Sequence, residues 1–286
     1  MLLVHAHPDD EVLGSGATMA YYAADGAFVS LVTCTLGEEG EVLVPELEHL
    51  GAAHLDELGR HRITELADSM VDLGVTDWRI LGEPGKYRDS GMMGLETNKR
   101  DNCFWQADLL DAATDLVPVI RATRPHVLIT YDDFGGYGHP DHIQAHRVAM
   151  YASMLAAAPS FQPDLGEAWD IPKVYWTALP KSTLRKGILA ARESDPDSDI
   201  AQMDPDNIPF GIADDVITTR IDASAHVDQK LAAMRDYPSQ INMQSGFFSF
   251  AESAGPDFGV EYFRLVKGNK GTVDATGLET DLFASL

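Results

Sequence analysis

Short apolar runs alternate with amphipathic stretches along the first half of the chain. The apolar runs predict strands at Leu2–Ala6, Phe28–Thr35 and His126–Tyr131, and Trp78–Leu81 is a brief strand candidate. The amphipathic stretches predict helices, and they are Glu11–Ala24, Arg60–Leu73 and Ala107–Thr123. Strands and helices that alternate at this spacing predict an α/β fold with a Rossmann-like, mostly parallel sheet flanked by helices.

Long polar stretches interrupt this alternation at residues 36–58 and 82–105, and connections of that length are usually functional loops. The predicted elements that follow are helix Pro140–Ala156, strand Val174–Ala178, helix Ser182–Arg192, strand Val216–Ile221, helix Ala223–Arg235 and strand Val260–Val266. Residues 194–209 are polar and predict a surface loop. We expect one domain over residues 1–286, with a core at 1–170 and a smaller C-terminal α/β lobe at 171–286 packed on it.

Composition and charge exclude several classes of protein. The 286 residues are 45% hydrophobic and 23% charged, and no apolar run approaches the ~20 residues of a transmembrane helix. The net charge of −24 argues against nucleic acid or an anionic membrane as a partner. No basic region precedes the first predicted strand, so we expect no signal peptide and a cytoplasmic location.

Residue types that commonly bind metals occur at the end of the first predicted strand, in the sequence HAHPDDE. His7 and Asp10 lie on a turn that Pro8 stiffens, so both can point at one ion. The carboxyl ends of parallel strands face the ligand crevice in such folds. Imidazole and carboxylate are good ligands for first-row metals, and zinc is the commonest choice for hydrolysis. The two cysteines, Cys34 and Cys103, are too few for a disulfide framework or a cysteine-based zinc site.

A second cluster, GGYGHPDH, follows the predicted strand His126–Tyr131. His139 and His142 can face the same cavity, one as a ligand and one free for acid–base work. The glycines beside Tyr137 allow close backbone approach and movement of that side chain. Either cluster alone is explained by ordinary turns, because Asp and Pro are common turn formers. Their joint position at strand ends favours a metal site.

Four other functional patterns are absent or incomplete. Gly14-Ser-Gly16 lacks the third glycine of a dinucleotide-binding fingerprint. Neither a G-x-S-x-G elbow nor an H-E-x-x-H motif occurs. Asp195, Asp197 and Asp199 are spaced like the start of an EF-hand loop, but Ile200 stands where that loop needs glycine.

The sequences HAHPDDE and GYGHPDH resemble the motifs of the LmbE-like (PIG-L) family of zinc N-deacetylases, which act on N-acetylglucosamine-containing compounds. Further stretches are similar to the members that deacetylate N-acetylglucosaminyl-inositol in mycothiol biosynthesis: Thr33–Glu41, Leu58–Leu66, Arg88–Met92 and Glu279–Leu282. The resemblance therefore implies a zinc-dependent hydrolase that converts this small amino-sugar substrate to glucosaminyl-inositol and acetate.

Related activities remain as alternatives. Mycothiol S-conjugate amidases and chitooligosaccharide-type deacetylases share the metal motif. The resemblance to the amidases implies a lysine after HPDDE, and Val12–Gly16 contains none, which favours the deacetylase. A sugar-binding protein with a vestigial metal site is a further alternative. The spare carboxylate of Asp9 argues against it, because a binding module needs no general base.

Residue by residue, the resemblance implies His7, Asp10 and His142 as ligands of one zinc ion per subunit, with iron as the alternative metal. It implies Asp9 as the general base. It also implies His139 as the acid that assists the leaving amine or as a group that stabilises the oxyanion. The sequence leaves open whether Asp9 alone or Asp9 with His139 handles the protons, and it leaves the oligomeric state open.

The resemblance assigns four further residues. Asp141 would orient His139, and Tyr137 would polarise the amide carbonyl. Arg62 and Asp89 match positions that hold the sugar–inositol substrate. From the sequence alone, a salt bridge on an amphipathic helix explains Arg62 nearly as well, and a turn explains Asp89.

Overall fold

One sheet runs through the molecule. The computed structural model describes residues 1–194, 196–242, 251 and 254–286. The strands in this part of the chain are β1 (Leu2–His5), β2 (Ser30–Thr33), β3 (Asp77–Ile80), β4 (Val127–Thr130), β5 (Lys173–Ala178), β6 (Thr219–Asp222) and β7 (Val260–Lys267). They form a seven-stranded sheet in the order β3-β2-β1-β4-β5-β7-β6. Strands β1 to β5 are parallel, which confirms the predicted mostly parallel α/β fold.

Helices cover both faces of the sheet. In the described residues they are α1 (Asp10–Gly14), α2 (Gly16–Ala24), α3 (Leu58–Asp72), α4 (Leu109–Thr123), α5 (Gly135–Gly138), α6 (Pro140–Ala157), α7 (Lys181–Ser194), α8 (Asp199–Gln202) and α9 (Val227–Arg235). Alternate residues of β1 enter different cores, as the two-residue period of a strand requires. Leu3 packs with residues of α2, α3 and α9, whereas Leu2 and Val4 pack with residues of α4 and α6.

The strand order reverses between β1 and β4, which lie side by side and parallel at the centre of the sheet. Their carboxyl ends therefore open at the same edge, where α/β sheets bind ligands. Both predicted metal clusters follow these two strands. The predicted helix Glu11–Ala24 is instead two helices, since Ser15 leaves helical geometry between α1 and α2 (φ −149°, ψ 7°).

The C-terminal third extends the same sheet. Strand β7 pairs antiparallel with both β5 and β6. The strand predicted at Val216–Ile221 begins later, at Thr219, because a 3-10 turn occupies Asp214–Val216. The division of the chain at residue 170 stays a prediction. In the predicted loop at 194–209, helix α8 forms, and residue 195 lies outside the described residues.

Buried polar contacts fix the chain's last residues to the sheet. The carboxylate of Glu279 is fully buried and accepts hydrogen bonds from Nζ of Lys173 (2.5 Å), the hydroxyl of Tyr175 (2.6 Å) and Oγ1 of Thr219 (3.1 Å). A buried charge needs such partners, so Glu279 holds the C-terminal segment against strands β5 and β6. Both cysteines are buried free thiols. None of the helices in the described segments is long and apolar enough to cross a membrane.

Candidate metal centre

Histidines and carboxylates converge at the switch between β1 and β4. Ligand atoms of His7, His139 and His142 lie within 4.8 Å of one another, and so do those of His7, Asp89 and Asp141. All five side chains are buried. The two groups share His7, so the described residues offer one compact metal-binding region rather than two separate sites.

Asp10 connects the two motifs. Its Oδ2 lies 3.2 Å from Nδ1 of His7, and its Oδ1 lies 3.2 Å from Nε2 of His142. The structure thus brings together the three residues predicted as ligands around one carboxylate.

The ring of His142 is oriented for metal binding. Its Nδ1 donates to the carbonyl of Gly135 (3.1 Å), so Nε2 carries the lone pair. This Nε2 is buried and faces Oδ1 of Asp10, and no described residue forms a hydrogen bond with it. A buried lone pair beside a carboxylate is unfavourable without a cation between them. The donor set of two imidazoles and one carboxylate suits zinc, and the ring of Tyr131 stacks on His142 at 4.3 Å.

Asp141 orients His7 rather than His139. Its Oδ2 lies 3.2 Å from Nε2 of His7, and it also accepts the amide of Ser90 at 2.8 Å. Asp141 contacts His139 through its backbone instead, since its N–H donates to Nδ1 of His139 (3.2 Å). The resemblance had implied that Asp141 orients His139. The difference arises because Asp141 opens α6, so its amide points back at His139 while its carboxylate enters the site.

Asp9 lies next to this cluster in a strained conformation, with φ of 110°. Its Oδ2 accepts a hydrogen bond from Nη2 of Arg62 (3.0 Å), and its amide donates to Oε2 of Glu11 (3.1 Å). Burial raises the pKa of Asp9 to about 6, although the positive charge of Arg62 opposes the shift. A carboxylate with such a pKa is suited to accept a proton near neutral pH.

His139 and Tyr137 flank the cluster. The His139 ring centroid lies 4.7 Å from that of His7, and burial lowers the pKa of His139 to about 3. Tyr137 is 49% exposed, and its ring centroid lies 5.0 Å from that of His142. It sits in α5 between Gly136 and Gly138, both with positive φ, so this turn depends on glycine. Both residues predicted from the sequence are therefore at the site.

Arg62 and Asp89, matched to substrate-binding positions, also lie at the site but are buried. Arg62 is 2% exposed, and its guanidinium donates to the carbonyls of Pro8 and Gly37 as well as to Asp9. Asp89 is 4% exposed, and its Oδ1 lies 3.5 Å from Nε2 of His7. These positions are compatible with a polar wall of a substrate cavity. Their role in binding stays a prediction.

Sequence reasoning missed Ser90, Tyr131 and Glu11. Ser90 holds Asp141, Tyr131 accepts the amide of Ala6 through its hydroxyl (2.9 Å), and Glu11 holds the amide of Asp9. The sequence offers a signal for two of these residues, because Tyr131 ends the predicted strand before the second motif and Glu11 ends HPDDE. Nothing in the local sequence around Ser90 indicates its partner.

The chain is similar to known proteins along its whole length. Residues 2–153 match the model of the family described as GlcNAc-PI de-N-acetylase (PIG-L). The chain is 54% identical to a curated protein of Geodermatophilus obscurus, over 100% of this chain and 97% of the relative. It is 56% identical to one of Catenulispora acidiphila, over 100% of this chain and 89% of the relative. Both are named 1D-myo-inositol 2-acetamido-2-deoxy-alpha-D-glucopyranoside deacetylase.

A solved structure has the same fold. The N,N'-diacetylchitobiose deacetylase of Pyrococcus horikoshii superposes with a TM-score of 0.63 at 19% identity, covering 93% of this chain and 83% of the other. At that identity the likeness concerns the fold alone. The family match over more than half of the chain and the full-length relatives decide the relationship. The chain therefore belongs to the GlcNAc-PI de-N-acetylase (PIG-L) family.

Proposed function

We propose that this chain is a zinc-dependent deacetylase that hydrolyses the acetamide of N-acetylglucosaminyl-inositol to glucosaminyl-inositol and acetate, a step of mycothiol biosynthesis. The observation that carries the proposal is the full-length match, at 54% and 56% identity, to relatives named as deacetylases of this compound. The site supplies the groups that amide hydrolysis needs: metal-binding residues, a spare carboxylate and a neighbouring imidazole.

The metal would be held by His7, Asp10 and His142, one ion per chain, with iron as the alternative to zinc. Three protein ligands leave a position open, as in catalytic zinc sites. When bound, the ion lowers the pKa of water and polarises the substrate carbonyl. The orphaned Nε2 of His142 and the Asp10 carboxylate between the two imidazoles support this assignment. The hydrogen bond between Asp141 and His7 would fix the orientation of one ligand.

Asp9 would be the general base. It directly precedes the proposed ligand Asp10, and its carboxylate accepts a hydrogen bond from Nη2 of Arg62 rather than from an imidazole. It is therefore not needed as a metal ligand. It would take a proton from the attacking water and keep it while the tetrahedral intermediate forms. The amine is a poor leaving group and must be protonated as the C–N bond breaks.

His139 and Tyr137 would act on the acetamide. Because Nδ1 of His139 accepts the amide N–H of Asp141, the neutral ring carries its proton on Nε2. An N–H donor of this kind fits stabilisation of the oxyanion, and protonation of the amine then falls to protonated Asp9. The half-exposed phenol of Tyr137 would donate to the same oxygen from its glycine-rich turn.

Arg62 and Asp89 would hold the sugar hydroxyls and the inositol. Asp89 faces the cluster with a carboxylate whose pKa is held far below its usual value: burial opposes ionisation, but His7 and the amide of Gly91 outweigh it. An ionised carboxylate is a strong hydrogen-bond acceptor for sugar hydroxyls. Arg62 would act at the other side, where it already contacts Asp9.

Release of free amine from N-acetylglucosaminyl-inositol, measured beside a mycothiol S-conjugate, tests the proposal. The protein is stripped of metal and reloaded with zinc, and kcat/KM is determined for both substrates. We expect the acetylated substrate to be preferred by at least about tenfold, which corresponds to ~1.4 kcal/mol of transition-state discrimination. Preference for the conjugate would identify an amidase, and lack of turnover of both by the zinc-loaded protein would refute the substrate.

A further inference from the structure

Tyr237 reaches the metal-binding turn from the C-terminal third of the chain. This residue follows α9, is fully buried, and donates its hydroxyl to Oε1 of Glu11 (2.5 Å). Glu11 is also fully buried, and its Oε2 accepts the amide of Asp9 at 3.1 Å. Two hydrogen bonds through one carboxylate therefore connect Tyr237 with the backbone of Asp9.

The backbone of Asp9 needs such support. Its φ of 110° and ψ of −28° lie in a region that side-chain-bearing residues rarely adopt. Conformations of this kind are unfavourable and persist only where the surrounding structure enforces them. Here Glu11 holds the amide of Asp9 and Arg62 holds its carboxylate, so the side chain is fixed from two directions.

Ser239, two positions after Tyr237, holds helix α3, which carries Arg62. The amide and hydroxyl of Ser239 donate to the buried carboxylate of Glu65, at 3.0 Å and 2.6 Å. Glu65 lies on α3, the helix that also carries Arg62. The carbonyl of Ser239 accepts the amide of Leu43 (3.0 Å), in the long loop after β2. The short segment 237–239 thus fixes both elements that hold Asp9.

We infer that Tyr237 and Glu11 are positioning residues for Asp9, acting through its amide to keep the carboxylate where a proton is taken from the attacking water. The inference rests on the proposed function, since it takes Asp9 as the general base. Glu11 also accepts the hydroxyl of Ser69, at 3.4 Å, but the shorter contact is the one from Tyr237. Without the Tyr237 hydroxyl, the Glu11 carboxylate loses that partner and its fixed orientation toward Asp9.

The variant Tyr237→Phe tests this role, with Tyr175→Phe as the matched control. Both substitutions remove one fully buried hydroxyl that donates to a buried carboxylate, but Tyr175 contacts Glu279, at the C-terminal segment. For Tyr237→Phe we expect kcat to fall about three- to tenfold with KM within about twofold, the size of one lost hydrogen bond. We expect Tyr175→Phe to keep the wild-type kcat.

Hydrogen exchange of the peptide containing the Asp9 amide gives a second readout, measured on metal-free protein. Exchange should be faster in Tyr237→Phe than in the wild type and in Tyr175→Phe. Glu11→Gln keeps an oxygen for the Asp9 amide and should retain more activity than Glu11→Ala. Wild-type kcat and exchange in Tyr237→Phe, or an equal loss of kcat in both Tyr variants, would overturn the inference. If the wild type fails to deacetylate, the proposed function fails, and the exchange rates still decide the positioning.

Discussion

Nε2 of His7 lies 3.2 Å from Oδ2 of Asp141, a residue 134 positions further along the chain. This contact joins the turn after β1 to the start of α6. A carboxylate that accepts from one imidazole nitrogen sets the tautomer and leaves the other nitrogen with its lone pair, here Nδ1, which faces Asp10. The contact therefore fixes the orientation of the His7 ring, which we propose as a metal ligand.

Asp141→Asn should weaken zinc binding while the fold is kept. The amide is a weaker acceptor than the carboxylate, so His7 loses its orientation and some basicity. We expect zinc affinity to fall about 10- to 100-fold, measured by competition with a chelator. The exposed residue Asp133, in the turn between β4 and α5, provides the control variant Asp133→Asn. Equal zinc affinity in wild type and Asp141→Asn would show that the contact does not prepare the ligand.

Asp9→Ala should separate catalysis from metal binding. Removal of the proposed base should lower kcat about 10²- to 10⁴-fold while one zinc per chain is still bound. Asp10→Ala or His142→Ala should lose zinc as well, because each removes a proposed ligand. Zinc content by atomic spectroscopy and kcat by acetate release provide the measurements. Near-normal turnover in Asp9→Ala would show that another group is the base.

Gly37→Ala should disturb the active site through Arg62. Gly37 has φ of +66°, and a Cβ there would lie 1.8 Å from Nη1 of Arg62. The guanidinium would have to leave Asp9, so we expect kcat to fall together with the free energy of unfolding. Gly26→Ala is the matched control, since Gly26 has φ of +87° with open space around its Cβ position. The control should lose about 1–2 kcal/mol of stability from backbone strain alone and keep kcat. Identical behaviour of the two variants would contradict the role given to Arg62.

Lys173→Met should destabilise the fold strongly. Lys173 and Glu279 form a fully buried ion pair, and removing one partner leaves an uncompensated buried charge. We expect a loss of about 3–5 kcal/mol in the free energy of unfolding, measured by urea denaturation. Lys267→Met removes an exposed partner of Asp170 and should cost at most about 1 kcal/mol. A loss in Lys173→Met no larger than in the control would mean that Glu279 is satisfied without its cation.

The central sheet and the cluster of candidate metal-binding side chains were predictable because their sequence signals are local. Strands β1 and β4 are short, buried apolar runs, and each of the two metal-binding motifs follows the end of one of them. The parallel order then brings His7 and His142 together, because β1 and β4 are neighbours. Once the strand positions were known, the meeting of the two motifs followed from the geometry of the fold.

The remaining features depend on contacts between distant segments. Oδ2 of Asp89 accepts the amide of Glu39, and the hydroxyl of Tyr237 reaches Glu11, yet no local pattern marks either pair. The resemblance implied that the Asp141 carboxylate orients His139, whereas this carboxylate contacts His7. The direction of a side chain at the start of a helix depends on the packing around it. The strand predicted before β6 began too early because Val216 and Ile217 are apolar, although Val216 ends a 3-10 turn.

Zinc titration of the metal-stripped protein shows whether deacetylation depends on one metal ion per chain. Acetate release from N-acetylglucosaminyl-inositol is followed as zinc is added. We expect no acetate release without metal and a rise in acetate release that ends at one zinc per chain. Acetate release by the fully stripped protein, or one bound zinc without acetate release, would contradict this expectation.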